Sequence, residues 1–107
     1  MALLQLELRS DTNNFRIQSE LEGVLYIFAF LYNFRTSLWK MDIFDSEESP
    51  VVLGIPILVG ANLLGRFSDE RLPPGNMFGL NIEDENVEAG ETDFNKNFFL
   101  IYEEADD

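Results

Sequence analysis

The side chains able to take part in chemistry are almost all carboxylates: 20 Asp and Glu stand against 7 Lys and Arg, with no histidine and no cysteine. Two carboxylates suffice for glycoside hydrolysis or acid proteolysis, provided that they are held at a working separation. No local signature fixes such a pair. The acids gather beside other acids in three groups, Asp42, Asp45, Glu47 and Glu48, then residues 83–93, then residues 103–107. Each group reads as a solvated loop or tail. Function has to be argued from a site, and the sequence presents no catalytic one, so a non-enzymatic protein is expected.

Two binding chemistries fail in the same way. A calcium hand places acids at alternating positions, with glycine sixth and glutamate twelfth, between two helices. Depending on where the count starts, at Glu83 or Asp84, the sixth residue is Glu88 or Ala89, and both flanks read as strands. Ligand type alone leaves weak divalent binding open at Glu83, Asp84, Glu85, Glu88, Glu91 and Asp93, but solvation is the expected state and no metal site or cofactor is predicted. Gly54, Gly60 and Gly65 miss the phosphate-loop pattern, because Arg66-Phe67 follows Gly65 where Lys and Ser or Thr are required. Their spacing through an apolar run fits bulges and corners of a small barrel instead.

Charge and length narrow the classes further. A net charge of −13 repels a phosphate backbone or an anionic membrane surface, so neither nucleic acid nor membrane is an expected partner. The first residues lack the basic region of a signal peptide, and no apolar run reaches the ~20 residues of a membrane helix. A soluble protein made in a cytoplasm is expected. With 107 residues, 46% of them hydrophobic and 13% aromatic, the chain has material for one core. The expectation is a single β domain over 1–107, with an acidic loop at 83–93 and a flexible acidic C-terminus at 103–107.

Period-two alternation positions these residues. In 2–10, Leu4, Leu6 and Leu8 fall on one face and Gln5 and Glu7 on the other; 14–21 repeats the pattern with Phe15 and Ile17. Asn13-Asn14 and Glu22-Gly23 are turn chemistry. Residues 24–32 are apolar on both faces, which predicts a central strand covered on both sides. After a connection at 33–37, residues 38–44 return with Trp39, Met41 and Ile43 on one face and Lys40 and Asp42 on the other. Pro56 supplies no amide hydrogen, so 51–58 is expected as two short extended pieces at a sheet edge or bulge. Residues 61–67 read as one turn of helix or an irregular strand. Strands are predicted over 77–82 and 94–102, the latter with Phe94, Phe98, Leu100 and Tyr102 in phase. About seven short, mainly antiparallel strands give an all-β barrel or sandwich.

The least ordinary stretch is 37–64, a tryptophan strand followed by an apolar run broken by Gly54, Pro56 and Gly60. Trp39 is either core or an interface anchor. Val51, Val52, Ile55, Ile57, Leu63 and Leu64 suit a barrel edge shaped to pack on itself or on a neighbour. Phe67, Leu72, Met77 and Phe78 flank a Pro-Gly loop that a partner could grip. These eleven residues are the candidate partner interface.

The order Trp39-Lys40-Met41-Asp42-Ile43-x-Asp45, an acidic turn, Pro50-Val51-Val52-x-Gly54, Ile57, Gly60 and Asn62-Leu63-Leu64 resembles the small baseplate plug proteins of contractile-tailed bacteriophages. The similarity runs from about residue 14 to residue 102. The hairpin turn, often glycine-rich in that family, is Asn33-Phe34-Arg35-Thr36-Ser37 here. The resemblance implies a non-enzymatic virion protein, made in the host cytoplasm and without cofactor. It also implies multiple copies in a symmetric assembly with the hub, tube initiator and spike proteins, where plugs close the distal end of the tail tube until infection. The competing class is a cellular acidic β-barrel module that binds a small ligand or a basic partner.

Overall fold

The computed structural model describes residues 3–9, 11–60, 62–65, 71–83, 88–90 and 93–104. Among them are seven strands and no helix: β1 (Leu3–Gln5), β2 (Asn14–Leu21), β3 (Val24–Asn33), β4 (Leu38–Asp45), β5 (Pro50–Pro56), β6 (Asn76–Asn81) and β7 (Phe98–Glu103). All pair antiparallel, in a four-stranded sheet of order β2-β3-β4-β5 and a three-stranded sheet of order β1-β7-β6. The all-β expectation therefore holds, as a sandwich-like pair of sheets and not a closed barrel.

Alternation explains which faces meet. Towards the second sheet β2 buries Phe15 and Leu21, β3 Tyr26, Phe28 and Phe30, and β4 Trp39, Met41 and Ile43. From the other sheet come Met77, Phe98, Leu100 and Tyr102, and all of these belong to one apolar cluster. Burying aromatic side chains on facing sheets is the main favourable term here, since each removes a large apolar area from water.

Several expectations about the strands need correction. β3 is central, but its outer face is covered only in part, at Ile27. Leu25 and Leu31 on its outer side remain 39% and 54% exposed, because the second sheet packs against the opposite face. The first strand is shorter than the alternation suggests: only Leu3–Gln5 is strand, although Leu6 still donates to the Leu100 carbonyl at 2.9 Å and Leu6 and Leu8 are buried. The last strand begins at Phe98, not at residue 94. Asn95 adopts a φ of 59°, and the Asp93 carbonyl accepts from the amides of Lys96, Asn97 and Phe98. A tight turn thus absorbs residues that keep their phase, Phe94 included.

Pro56 does end an edge strand, as expected, but β5 is one strand rather than two pieces. Its register against β4 shifts on either side of Ile43. Within that bulge Gly54 has a φ of +77°, a left-handed conformation that L side chains rarely adopt, and its amide donates to the Asp42 carboxylate at 2.7 Å. Of the 61–67 segment, Leu63–Gly65 form a turn, while Ala61, Arg66 and Phe67 lie outside the described residues.

Gly79 has a different reason for being glycine. A Cβ there would overlap the Phe98 ring, the close approach that a glycine within a strand commonly marks. Gly79→Ala is therefore expected to destabilise the protein by roughly 1–3 kcal/mol through overpacking. Urea unfolding followed by tryptophan fluorescence measures this, and a change below about 0.5 kcal/mol would contradict the close packing.

Candidate partner interface

Most of the candidate interface residues lie inside the molecule. Trp39, Ile55 and Met77 are wholly buried, and Ile57, Leu63, Leu64 and Leu72 are nearly so. Val51 and Val52 are half-buried and pack against the core. Phe78 is half-buried on the outer face of β6, and Phe67 lies outside the described residues. A partner cannot reach the buried side chains while the two sheets stay together.

Trp39 is the centre of what they build. Its ring stacks on Phe94, with centroids 4.4 Å apart, and meets Phe15 and Tyr32 edge-on at 5.8 and 5.5 Å. Its indole Nε1–H donates to the Gly90 carbonyl at 2.9 Å. The far end of the acidic segment is therefore not simply solvated. The Glu88 carboxylate accepts from the Val59 amide at 2.6 Å, Asp93 accepts from the Gly90 amide at 2.7 Å, and Ala89 is buried. Two acids of the proposed loop thus serve as backbone acceptors. Asp84, Glu85 and Glu91 lie outside the described residues, among which no cluster of three metal-ligating side chains occurs.

A second polar junction ties the sheet ends. The Tyr102 hydroxyl donates to the Glu22 carboxylate and accepts from the Gly75 amide at 2.7 Å. Glu22 occupies the β2–β3 turn with a φ of 53°, an uncommon conformation for a residue with a side chain. Burial, and then the hydrogen bond to Glu22, push the Tyr102 phenol well above its ordinary value, while burial and the Glu22 charge raise Tyr26.

Apart from Phe78, the apolar side chains on the outer faces are not among the eleven candidates. On the outer face of the three-stranded sheet, Phe78 pairs with Ile101 and Leu80 with Phe99. Leu80 is 44% exposed and Ile82, just beyond the strand, 62%. On the other sheet Leu25 and Leu31 stand between polar neighbours, since Leu25 opposes Glu20 and Leu31 opposes Asn14 and Lys40. Exposed apolar side chains grouped on a face, rather than scattered, mark interaction surfaces. The reverse face of the last strand, Phe99 and Ile101, was the signal in the sequence that could have found the first of these.

The geometry defines a small all-β sandwich with an aromatic centre and apolar side chains on its outer faces. A family model described as cyanophage baseplate Pam3 plug gp18 matches residues 3–105. The chain belongs to this baseplate plug family, and it is a structural component of a phage tail baseplate that associates with other baseplate components. Comparison with curated proteins finds no match.

Two substitutions probe the polar junctions. Trp39→Phe keeps an aromatic ring but orphans the Gly90 carbonyl, and is expected to cost about 1–3 kcal/mol in urea unfolding followed by circular dichroism; an unchanged midpoint would contradict the bond. For Tyr102, the folded phenol ionises at higher pH than the unfolded one. Its contribution is complete below the ordinary phenol value of about 10 and is lost as pH rises above it. Tyr102→Phe should therefore be less stable than the parent at pH 8 yet lose less stability above about pH 10. Parallel alkaline slopes for the two proteins would contradict the buried phenol.

Proposed function

We propose that this protein is a non-enzymatic plug, which packs against hub, tube initiator and spike proteins at the distal end of the tail tube and helps close the channel until infection. The observation that carries the reading is the family match along nearly the whole chain. The outer face built from Phe78, Leu80, Phe99 and Ile101 supports it, since an apolar sheet face suits a protein-protein contact. Of the eleven residues singled out in the sequence, Phe78 is the one with its side chain on this face. Val51 and Val52, at the edge of the other sheet, form a second candidate contact.

The net charge of −13 fits a channel that passes DNA, because an acidic wall does not hold a phosphate backbone. We infer that several copies sit in a symmetric ring, that 1–107 act as one domain, and that synthesis takes place in the host cytoplasm.

Affinity capture of the tagged protein from cells producing its native tail proteins, read by mass spectrometry, tests this reading. Recovery of hub, tube or spike components is expected. Leu80→Glu, which removes apolar surface without disturbing the core, should weaken that recovery by about tenfold or more. Capture of the bait alone, or retention of the protein on duplex DNA at moderate salt, would contradict the proposal.

A further inference from the structure

We propose that the free edge of β2 is a strand-addition site for an extended, lysine- or arginine-bearing segment of another protein. The inference deepens the protein-contact reading above and rests on it. The Tyr32 amide donates to the Asn13 carbonyl at 2.9 Å, and the β2–β3 register pairs residue 14 with 31 and 15 with 30 onwards to 21 with 24. In an antiparallel pair the directly bonded positions alternate. The odd-numbered residues of β2 therefore exchange bonds with β3, and the backbone donors and acceptors of Arg16, Gln18 and Glu20 point away from the sheet. Among the described residues nothing bonds to these three positions from that side.

The other edges are closed or blunted. β5 carries Pro50, Pro56 and a bulge whose glycine amide is already held by Asp42. β6 is covered by the preceding loop, in which Gly60 and Leu63 donate to the Gly79 and Met77 carbonyls and Asn62 accepts from the Met77 amide. β1 is only three residues long. β2 has eight residues with neither proline nor bulge, and so lacks two of the devices by which sheet edges are protected from pairing.

The chemistry of the incoming strand follows from the groove beside that edge. It has a volume of about 590 Å³ and is lined by Gln5, Glu7, Ile17, Gln18, Ser19 and Glu20. Its charged groups are both carboxylates, and its one apolar side chain, Ile17, is half-buried. A strand that alternates a β-branched residue with lysine or arginine would cover Ile17, pair with Glu7 and Glu20, and supply main-chain partners to Arg16, Gln18 and Glu20. A second copy of this chain is disfavoured as the occupant, because it brings the same net charge of −13.

The test is titration of the ¹⁵N-labelled protein with a blocked lysine-valine alternating heptapeptide, with the glutamate-valine peptide as control. The expected result is a set of shifts centred on the amides of residues 16, 18 and 20, with their hydrogen exchange slowed about tenfold or more. Gln18→Pro, which removes an outward donor while the Trp39 near-ultraviolet signal stays intact, should abolish these shifts. The double variant Glu7→Lys, Glu20→Lys should weaken binding about tenfold. Shifts located elsewhere, equal shifts with the acidic peptide, no shifts at millimolar peptide, or protection of these amides by self-association in the absence of peptide would each overturn the proposal. Because the probe is a peptide, such failure would leave any capture of tail proteins standing, and the two readings fall separately.

Discussion

The fold depends on one contact between the four-stranded sheet and the turn that leads into β7, the stack of Trp39 on Phe94 with the indole hydrogen held by the Gly90 carbonyl. A tryptophan buried this deeply contributes a large apolar area, but it also brings an N–H that must find an acceptor. The segment that supplies the acceptor is acidic and would otherwise have every reason to stay in water. Glu88 and Asp93 resolve the conflict by taking up backbone amides of Val59 and Gly90, which holds the Gly90 carbonyl against the indole. Local charge and core packing, opposed in composition, are reconciled through hydrogen bonds to the main chain.

Around this centre the chain uses side-chain oxygens to hold its irregular backbone. Asp42 accepts from the Gly54 amide in the β4–β5 bulge, Asp45 accepts from the amides of Glu47 and Ser49 in the following turn, and Asn33 accepts from Arg35 and Thr36 in the hairpin before it. Short acidic and amide side chains favour such local bonds. These bonds give Asp42 and Asp45 a structural role. The exposed ion pairs Arg9–Asp11 and Arg16–Glu48 add little, being solvated on both sides.

Strand existence was legible in the sequence because period two is a direct consequence of the pleat. The alternation over 14–21 and 38–44 places each element within one residue of its observed bounds. Strand ends were less legible: Phe94 keeps the phase of the last strand while lying before a tight turn, and the alternation alone does not reveal the turn. The two outer faces were hidden for a different reason. Leu25 and Leu31 carry the same hydrophobic signal as residues covered on both sides, and only the placement of the second sheet distinguishes them. Apolar type likewise selected Trp39, Ile55 and Met77 as interface candidates, whereas the fold uses them inside. Two residues of the pattern that carried the family resemblance, Asp42 and Gly54, are joined in the fold by a hydrogen bond at the bulge.

Cryo-electron microscopy of the intact tail baseplate decides whether this sandwich serves as a plug through its outer faces. Two-sheet density is expected at the distal end of the tube, with the Phe78, Leu80, Phe99 and Ile101 face against another chain. Density elsewhere in the virion, or that face open to solvent in the assembled baseplate, would contradict it.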